Sequence, residues 1–328
     1  MNIAVTGSIA TDHLMTFKGR FADSLVVDQL DKLSLSFLAE DLAIHRGGIA
    51  ANICFGMGNL GLAPVLVGAV GEDFVDYRSW LERHGVDCDS VHVSEVRHTA
   101  HFVCTTDEDH AQIATFYAGA MTEAREIELR PIADRLGGLD LVMISPNDPE
   151  AMLRHTDECR VRSYAFAADP SQQLAWMDGA SIRHLVDGAS YLFSNEYEAA
   201  LLEQKTGWGS DEVLDRVGVR ITTLGKEGSV IEQAGEPPVR VQAVGQPRAV
   251  DPTGVGDAYR AGFLAALAWG LHLERAAQVG SLLATYVLEN VGTQEYELGR
   301  SAVLDRCAAA YGEDAAADIA PHVKTLRP

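Results

Sequence analysis

Basic residues are scarce in this chain of 328 residues, where 26 lysines and arginines face 47 aspartates and glutamates. The formal net charge is −21, so nucleic acids and anionic membranes would repel the protein. The composition therefore favours small molecules as partners over nucleic acid or membrane. A site for an anionic ligand has to be built locally, from backbone amides, a metal ion and a few basic side chains.

Long hydrophobic runs and paired cysteines are also missing. The chain has no run of about 18 apolar residues, and its N-terminus reaches Asp12 without the basic start and apolar stretch of a signal peptide. The five cysteines are odd in number, widely spaced and free of C-x-x-C pairs, which argues against disulfides and against a thiolate zinc site. We therefore expect a reduced, cytoplasmic protein.

What the chain does contain is a regular alternation of short apolar runs with amphipathic stretches. The runs predict buried strands at 2–6, 64–68, 139–144, 164–168, 190–193 and 219–223, with helices between them and again after residue 255. This order predicts a single α/β domain over 1–328, with a three-layer αβα body around a doubly wound, mostly parallel sheet. Residues 12–46 and 91–118 fit short strands better than helices, and predict a small separate β-sheet.

The segment Asp251–Asp257, with the sequence D-P-T-G-V-G-D, predicts an anion site. Its two glycines allow a tight turn that points successive N–H groups inward, and the helix predicted after them adds its positive N-terminal end. The backbone cradle consists of Gly254, Val255 and Gly256. Asp257 is placed to accept a proton from a hydroxyl that attacks a phosphoryl group. Alone, the motif fits a capped helix after a turn equally well.

Four further polar segments follow predicted strands, where sites usually lie in such folds: 8–12, 45–52, 195–198 and 222–228. Each has a purely structural alternative. These are a turn cap, a strand-to-helix joint, a capping box and a hairpin, respectively. Their order along the chain, with Asp257 last, favours a single site.

The segment Gly56–Gly61 matches G-x-G-x-x-G, the pattern of dinucleotide-binding sites. A dinucleotide site needs these glycines between a strand and the start of a helix, whereas here they close a predicted helix. We therefore interpret them as packing and C-capping glycines.

With these segments the chain resembles the ribokinase-like family of carbohydrate and purine kinases over essentially its full length. Gly47, Gly48 and Asn52, followed by Gly61 and Gly71, resemble the first signature of the family, and residues 251–264 resemble the second. Cys54 and Val255 stand where smaller residues are more usual. The resemblance implies a ribokinase-like body with the small β-sheet as a lid, formed by about 12–46 and 91–118, and a homodimer through that lid.

The resemblance also implies a role for each segment. The residue matching Asp257 is the catalytic base, and the backbone from Gly254 onward is the anion hole for the γ-phosphate of ATP. The positions matching Asn195 and Glu198 organise Mg²⁺ and phosphate through water.

Three sets of binding residues are implied in the same way. The vicinal hydroxyls of a sugar are held at the positions of Asp12, Gly48 and Asn52. The ATP site is lined at the positions of Thr223, Gly225, Lys226 and Gly228. In several members a monovalent cation such as K⁺ binds near the positions of Asp251, Thr253 and Gly292.

The substrate is a separate question. Within the family the chain is most similar to the actinobacterial adenosine kinases, through residues 5–14 and 169–174. Phe102 and Phe116 lie on neighbouring predicted strands, and two rings facing each other across a gap would stack on a purine. Their alternative role is core of the small sheet. The polar edges of base and sugar would be satisfied by Ser8, Ser36, Gln172 and Gln173.

Three hypotheses follow. The first is an ATP-dependent adenosine kinase that makes AMP, the second a ribokinase- or fructokinase-like sugar kinase, and the third a non-catalytic nucleoside sensor. Retention of Asp257, Asn195 and Glu198 argues against the sensor, because a binding protein needs neither a base nor a metal.

Overall fold

The structure is a computed structural model that describes residues 1–24, 36–245 and 248–326. Its strands are β1 Ile3–Thr6, β2 Ala10–Phe17, β3 Ala39–Gly47, β4 Val65–Val67, β5 Ala69–Gly71, β6 His92–Ser94, β7 Ala100–Thr106, β8 Gln112–Tyr117, β9 Leu141–Ile144, β10 Phe166–Ala168, β11 Tyr191–Asn195, β12 Val219–Thr223, β13 Ser229–Glu232 and β14 Val239–Val241. Its α-helices are α1 Phe21–Ser24, α2 Ile49–Asn59, α3 Val75–Arg83, α4 Leu129–Leu136, α5 Pro149–Arg162, α6 Gly179–Val186, α7 Glu196–Thr206, α8 Ser210–Arg216, α9 Val255–Ala268, α10 Leu273–Leu288, α11 Arg300–Tyr311 and α12 Glu313–Ile319.

A large sheet forms the centre of the body, in the order β14-β13-β12-β11-β10-β9-β1-β4. Its strands are parallel from β12 to β4, while β13 and β14 add an antiparallel edge. Alternate residues of β1 enter different cores: Ile3 and Val5 pack on one face, and Ala4 packs on the other. Both faces are therefore covered, as parallel sheets require, and the predicted three-layer α/β fold is confirmed.

The small sheet is formed by β2, β3, β7 and β8, in the order β3-β2-β7-β8. The pair β2–β7 is parallel and the outer pairs are antiparallel. All four strands fall within or next to the ranges 12–46 and 91–118, of which residues 25–35 lie outside the described residues. The strand β6 instead pairs with β5 in a separate two-stranded sheet, so only part of the range 91–118 belongs to the small sheet.

The glycines of the G-x-G-x-x-G match do close a helix. The helix α2 ends at Asn59, and Gly61 follows with φ 85°. A Cβ atom at Gly58 would lie 2.0 Å from the carbonyl oxygen of His84, so only glycine allows this close approach. Within the described part of the chain, no helix is long and apolar enough to span a membrane.

Candidate active site

A cavity of about 710 Å³ lies where the small sheet meets the loops that follow β1, β9 and β10. Its wall combines residues that are far apart in the chain, from Ser8 to Thr293. They are Ser8, Ala10, Asp12, Gly48, Ile49, Asn52, Phe102, Phe116, Met121, Pro146, Asn147, Ser171, Gln172, Gln173, Trp176, Thr253, Gly254, Asp257 and Thr293.

The anion cradle lies at the start of α9. Gly254 precedes the helix with φ 75°, and a Cβ atom there would lie 2.6 Å from Cγ2 of Thr293. Both facts require glycine. The N-cap residue is glycine and has no side chain to cap the helix, so the positive end of the helix dipole can face a bound anion without a capping side chain from that position. Val255 and Gly256 form the first helical residues, as the sequence predicted to within one residue.

Asp257 lies in the first turn of α9, where its carboxylate accepts a 2.8 Å hydrogen bond from Nδ2 of Asn52. The Asn52 amide is held in turn, because its Oδ1 accepts hydrogen bonds from Thr293 and Gln294 at 2.8 and 2.9 Å. Burial raises the pKa of Asp257 to about 7, although Asn52 and Arg260 act in the opposite direction. A carboxylate with such a pKa is suited to general base catalysis near neutral pH.

This contact adds a second role to the predicted role of Asn52. The resemblance placed it with the sugar, and the side chain does reach the cavity, but its amide donates to the candidate base. The partners are 205 residues apart in the chain, which no local motif reveals.

A buried ion pair lies beneath the cradle. The Arg260 guanidinium donates to Asp169 Oδ1 at 2.5 Å and to the Gly256 carbonyl at 3.0 Å. Arg260 and Asp169 are 5% and 1% exposed, so water screens their attraction little. The pair ties the first turn of α9 to the end of β10. The role of Arg260 was not predicted from the sequence, because its partner Asp169 is 91 positions away.

Asp12 faces the same cavity from β2. Burial raises the pKa of its carboxyl, while His45 and His13 favour the charged form. Gly48 holds the backbone beside it with φ 92°, and a Cβ atom there would lie 2.6 Å from backbone atoms of residues 8–10. The Ser8 hydroxyl accepts a 3.0 Å hydrogen bond from Ile49 N, so it helps to begin α2 as well as lining the cavity.

The two phenylalanines do not face each other as predicted. Phe102 and Phe116 are direct partners across β7 and β8, so their side chains leave the same face of the small sheet side by side. Both contribute to the cavity wall, and Phe116 is 52% exposed. They therefore form one aromatic surface above the cavity instead of a two-sided slot, and the core interpretation does not hold for Phe116.

The predicted polar residues divide into two groups. Gln172 and Gln173 line the cavity, and Gln173 Nε2 is fixed by a 2.7 Å hydrogen bond to the Asn147 carbonyl. Ser36 is exposed and is not part of the cavity wall.

The predicted ATP-site residues gather at the neighbouring edge of the large sheet. Asn195 and Thr223 end adjacent parallel strands in register, and the 3₁₀ turn Gly225–Glu227, which contains Lys226, follows. Gly228, with φ 90°, ends this turn; a Cβ atom there would lie 2.0 Å from the Val241 carbonyl oxygen. None of these residues lines the cavity, so they form a second region beside it.

Asn195 and Glu198 form a complete capping box at the start of α7, with both hydrogen bonds 2.8 Å long. The capping box, which was the purely structural alternative for residues 195–198, is therefore complete. A second Glu198 oxygen accepts from the Ser171 hydroxyl at 3.2 Å, which turns the carboxylate toward the cavity.

The residues of the predicted monovalent cation site also come together. Asp251 accepts hydrogen bonds from the backbone N–H of Thr253 at 2.9 Å and of Gly292 at 3.2 Å. Burial opposes ionisation, but these hydrogen bonds hold the pKa of Asp251 below its usual range. The carboxylate joins the cradle loop to the loop after α10.

Several cavity residues were not found from the sequence, among them Asn147 and Trp176. Asn147 is fully buried, and its Nδ2 has no hydrogen-bond partner among the described residues, so it is a free donor beside the cavity. Trp176 is 83% exposed and lies two residues after the segment of residues 169–174. Neither belongs to a periodic pattern or motif that could have marked it.

Known proteins match both the sequence and this architecture. The profile of the pfkB family of carbohydrate kinases matches residues 11–298. A nucleoside kinase from Methanothermobacter thermautotrophicus is 33% identical over 272 residues, which is 82% of this chain and 86% of that protein. The nucleoside kinase of Burkholderia thailandensis in complex with inosine has a TM-score of 0.81 at 32% identity, over 94% of this chain and 98% of that one. In its ligand-free form the TM-score is 0.84 at 33% identity, over 93% and 99% of the two chains.

Proposed function

This chain belongs to the pfkB family of carbohydrate kinases, and we propose that within it the protein is an ATP-dependent nucleoside kinase that phosphorylates adenosine to AMP. As a family member it is a phosphotransferase that uses an alcohol as acceptor. The relatives reported above are named nucleoside kinases and not adenosine kinases, so the preference for adenosine is part of the proposal. Its support is the similarity of residues 5–14 and 169–174 to the actinobacterial adenosine kinases.

The observation that carries the proposal is the juxtaposition of Asp257, the N-terminus of α9 at Gly254 and the aromatic surface in one cavity. The 5′-hydroxyl of the nucleoside attacks the γ-phosphorus of ATP and gives its proton to Asp257. An O–P bond forms, the bond to the β,γ-bridging oxygen breaks, and ADP leaves. Because the transition state is loose, positioning and charge neutralisation contribute more than base strength.

Different residues would bind the sugar and the base of the nucleoside. The Asp12 carboxylate can accept from both hydroxyls of a ribose diol, and Gly48 lets the backbone approach. Phe102 and Phe116 offer a base a stacking surface that a plain sugar does not need. A ribokinase- or fructokinase-like activity is the alternative.

The donor set fits magnesium that enters with ATP. In the described residues no group of three or more His, Cys, Asp or Glu side chains is arranged to hold a metal ion. Mg²⁺ commonly uses nucleotide phosphates and water with one or two carboxylates, and Glu198 supplies one. When bound, the ion neutralises charge that develops on the phosphates. We propose the loop junction of Asp251, Thr253 and Gly292 as a site for K⁺.

We also propose a cytoplasmic homodimer. All five cysteines are buried and free, which suits a reducing compartment. The outer face of the small sheet, turned away from Asp12 and the phenylalanines, exposes four large apolar side chains: Leu42, Ile44, Ile113 and Tyr117. A second copy would cover this face.

A coupled assay of ADP formation with adenosine, guanosine, inosine, ribose and fructose tests the proposal. We expect turnover with nucleosides and poor turnover with the free sugars. Among the nucleosides, adenosine should have the highest kcat/KM. Turnover with ribose or fructose but not with any nucleoside would show a sugar kinase.

A further inference from the structure

Trp176 has an unusual position for a tryptophan. Of the four tryptophans in the chain it alone is exposed, at 83%, whereas the others are buried or partly buried. It also lies on the wall of the cavity that contains Asp257. Ligand cavities are lined largely by apolar and aromatic side chains, so a large ring on this wall is available to contact a bound ligand.

The backbone around Trp176 is held firmly. The Lys205 ammonium donates to the carbonyls on both sides of it, those of Ala175 at 2.8 Å and Met177 at 2.9 Å. The neighbouring side chains of Leu174 and Met177 are buried. The indole is therefore presented by a fixed turn, and its exposure is not that of a loose loop.

The register of the small sheet indicates how a base would meet the aromatic surface. Phe102 and Phe116 lie side by side on one face of the sheet, so a ring that stacks on them leaves its other face free for a second contact. The segment after β10 lines the same cavity and contributes Gln172, Gln173 and Trp176.

We propose that Trp176 stacks on the nucleoside base from the side of the α/β body, so that the base lies between the indole and the aromatic surface of the small sheet. This inference rests on the proposed nucleoside kinase function. Gln173, fixed on the Asn147 carbonyl, lies three residues before the indole and can satisfy the polar edge of the stacked base. A purine overlaps an indole over a larger area than a pyrimidine does, so Trp176 favours purine nucleosides.

The test compares Trp176→Ala with Trp176→Phe in steady-state kinetics on adenosine and cytidine. Loss of one stacking surface should raise KM for adenosine about ten- to a hundredfold in Trp176→Ala, with kcat changed little. Trp176→Phe keeps a stacking ring, so its KM should stay within about threefold of wild type. The adenosine-to-cytidine ratio of kcat/KM should fall in Trp176→Ala. Because the side chain is exposed, the melting temperature of both variants should match wild type.

Tryptophan fluorescence gives an independent readout. Adenosine should quench the emission of wild type and of Trp269→Phe, a control whose ring stacks on His322 away from the cavity. Trp176→Phe should lose most of the quenching while calorimetry shows that adenosine still binds.

The outcomes separate the two proposals. If wild type phosphorylates adenosine and Trp176→Ala keeps the same KM, the stacking role is wrong and the nucleoside kinase stands. The stacking role is also wrong if Trp176→Phe loses as much affinity for adenosine as Trp176→Ala. If wild type phosphorylates sugars and no nucleoside, both proposals fail.

Discussion

Burial of the Asp257 side chain opposes ionisation of its carboxyl group, and this determines the pH at which the residue can accept a proton. Burial raises its pKa to about 7, while the Asn52 amide and the Arg260 guanidinium favour the charged form. The sequence predicted the position of Asp257 from its local motif. It could not predict the contribution of Asn52, which meets Asp257 only through packing of distant elements, nor that Arg260 on the same helix would be buried against Asp169.

A pH profile follows from this carboxylate. Asp257 can accept a proton only when ionised, so kcat/KM for adenosine should fall as pH decreases through about 7 and level off above it. In Asn52→Leu the charged form loses a hydrogen-bond donor, so the midpoint should move to higher pH. Thr293→Val, which removes a partner of Asn52 and not of Asp257, is the control. A flat profile between about pH 6 and 8 would rule out titration of Asp257 as the cause.

The ribose contact belongs to Asp12. Asp12→Ala removes an acceptor for the diol, and should weaken adenosine binding by about 1–3 kcal/mol. The variant should also lose most of the wild-type preference for adenosine over 2′-deoxyadenosine. The measurement is KM for both nucleosides with both proteins. Equal discrimination in the two would show that Asp12 does not hold the diol.

Among the elements, helices and buried strands were predictable because each carries its own periodicity. The strand predicted at 219–223 is found at Val219–Thr223, and the helices predicted between the strands include α5 at Pro149–Arg162 and α7 at Glu196–Thr206. Pairing between distant strands was not predictable. The parallel pair β2–β7 and the cross-strand pair of Phe102 and Phe116 depend on register, which sets the face on which each side chain emerges. The two rings were therefore predicted on the correct neighbouring strands, but their predicted arrangement, facing each other across a gap, was wrong.

The aromatic surface gives a prediction about β7. Phe102→Ala should raise KM for adenosine about ten- to a hundredfold, since base stacking contributes roughly 1–3 kcal/mol. Val103→Ala, next on the strand with its side chain on the opposite face, should leave KM unchanged. Melting temperature is measured alongside. A Phe102→Ala protein that is less stable but has an unchanged KM would show that the ring is structural.

For the whole molecule, the fold and the family could be predicted because short motifs recur in a fixed order around a parallel sheet. Gly48 and Gly254 are examples, since each adopts a positive φ at a crowded position where only glycine fits. Part of the cavity wall could not be predicted, because Asn147 and Trp176 reach it from loops without a motif.

The quaternary prediction concerns the outer face of the small sheet. Light scattering at micromolar concentration should give the mass of a dimer for wild type. Ile44→Glu places a charge on the exposed apolar face and should give a monomer, whereas Val161→Glu, at another exposed apolar residue on α5, should remain a dimer. A wild-type protein of monomer mass across this range would contradict the proposed dimer.

The central claim is that Asp257 accepts the proton of the nucleoside hydroxyl beside an anion cradle. It is tested most directly by kcat of Asp257→Asn with saturating ATP and adenosine, with adenosine affinity measured by calorimetry on the same preparation. We expect kcat to fall by at least about a hundredfold while the affinity changes little, because the amide keeps the shape of the side chain and cannot accept the proton. A variant that retains most of the wild-type kcat would show that Asp257 only caps the helix.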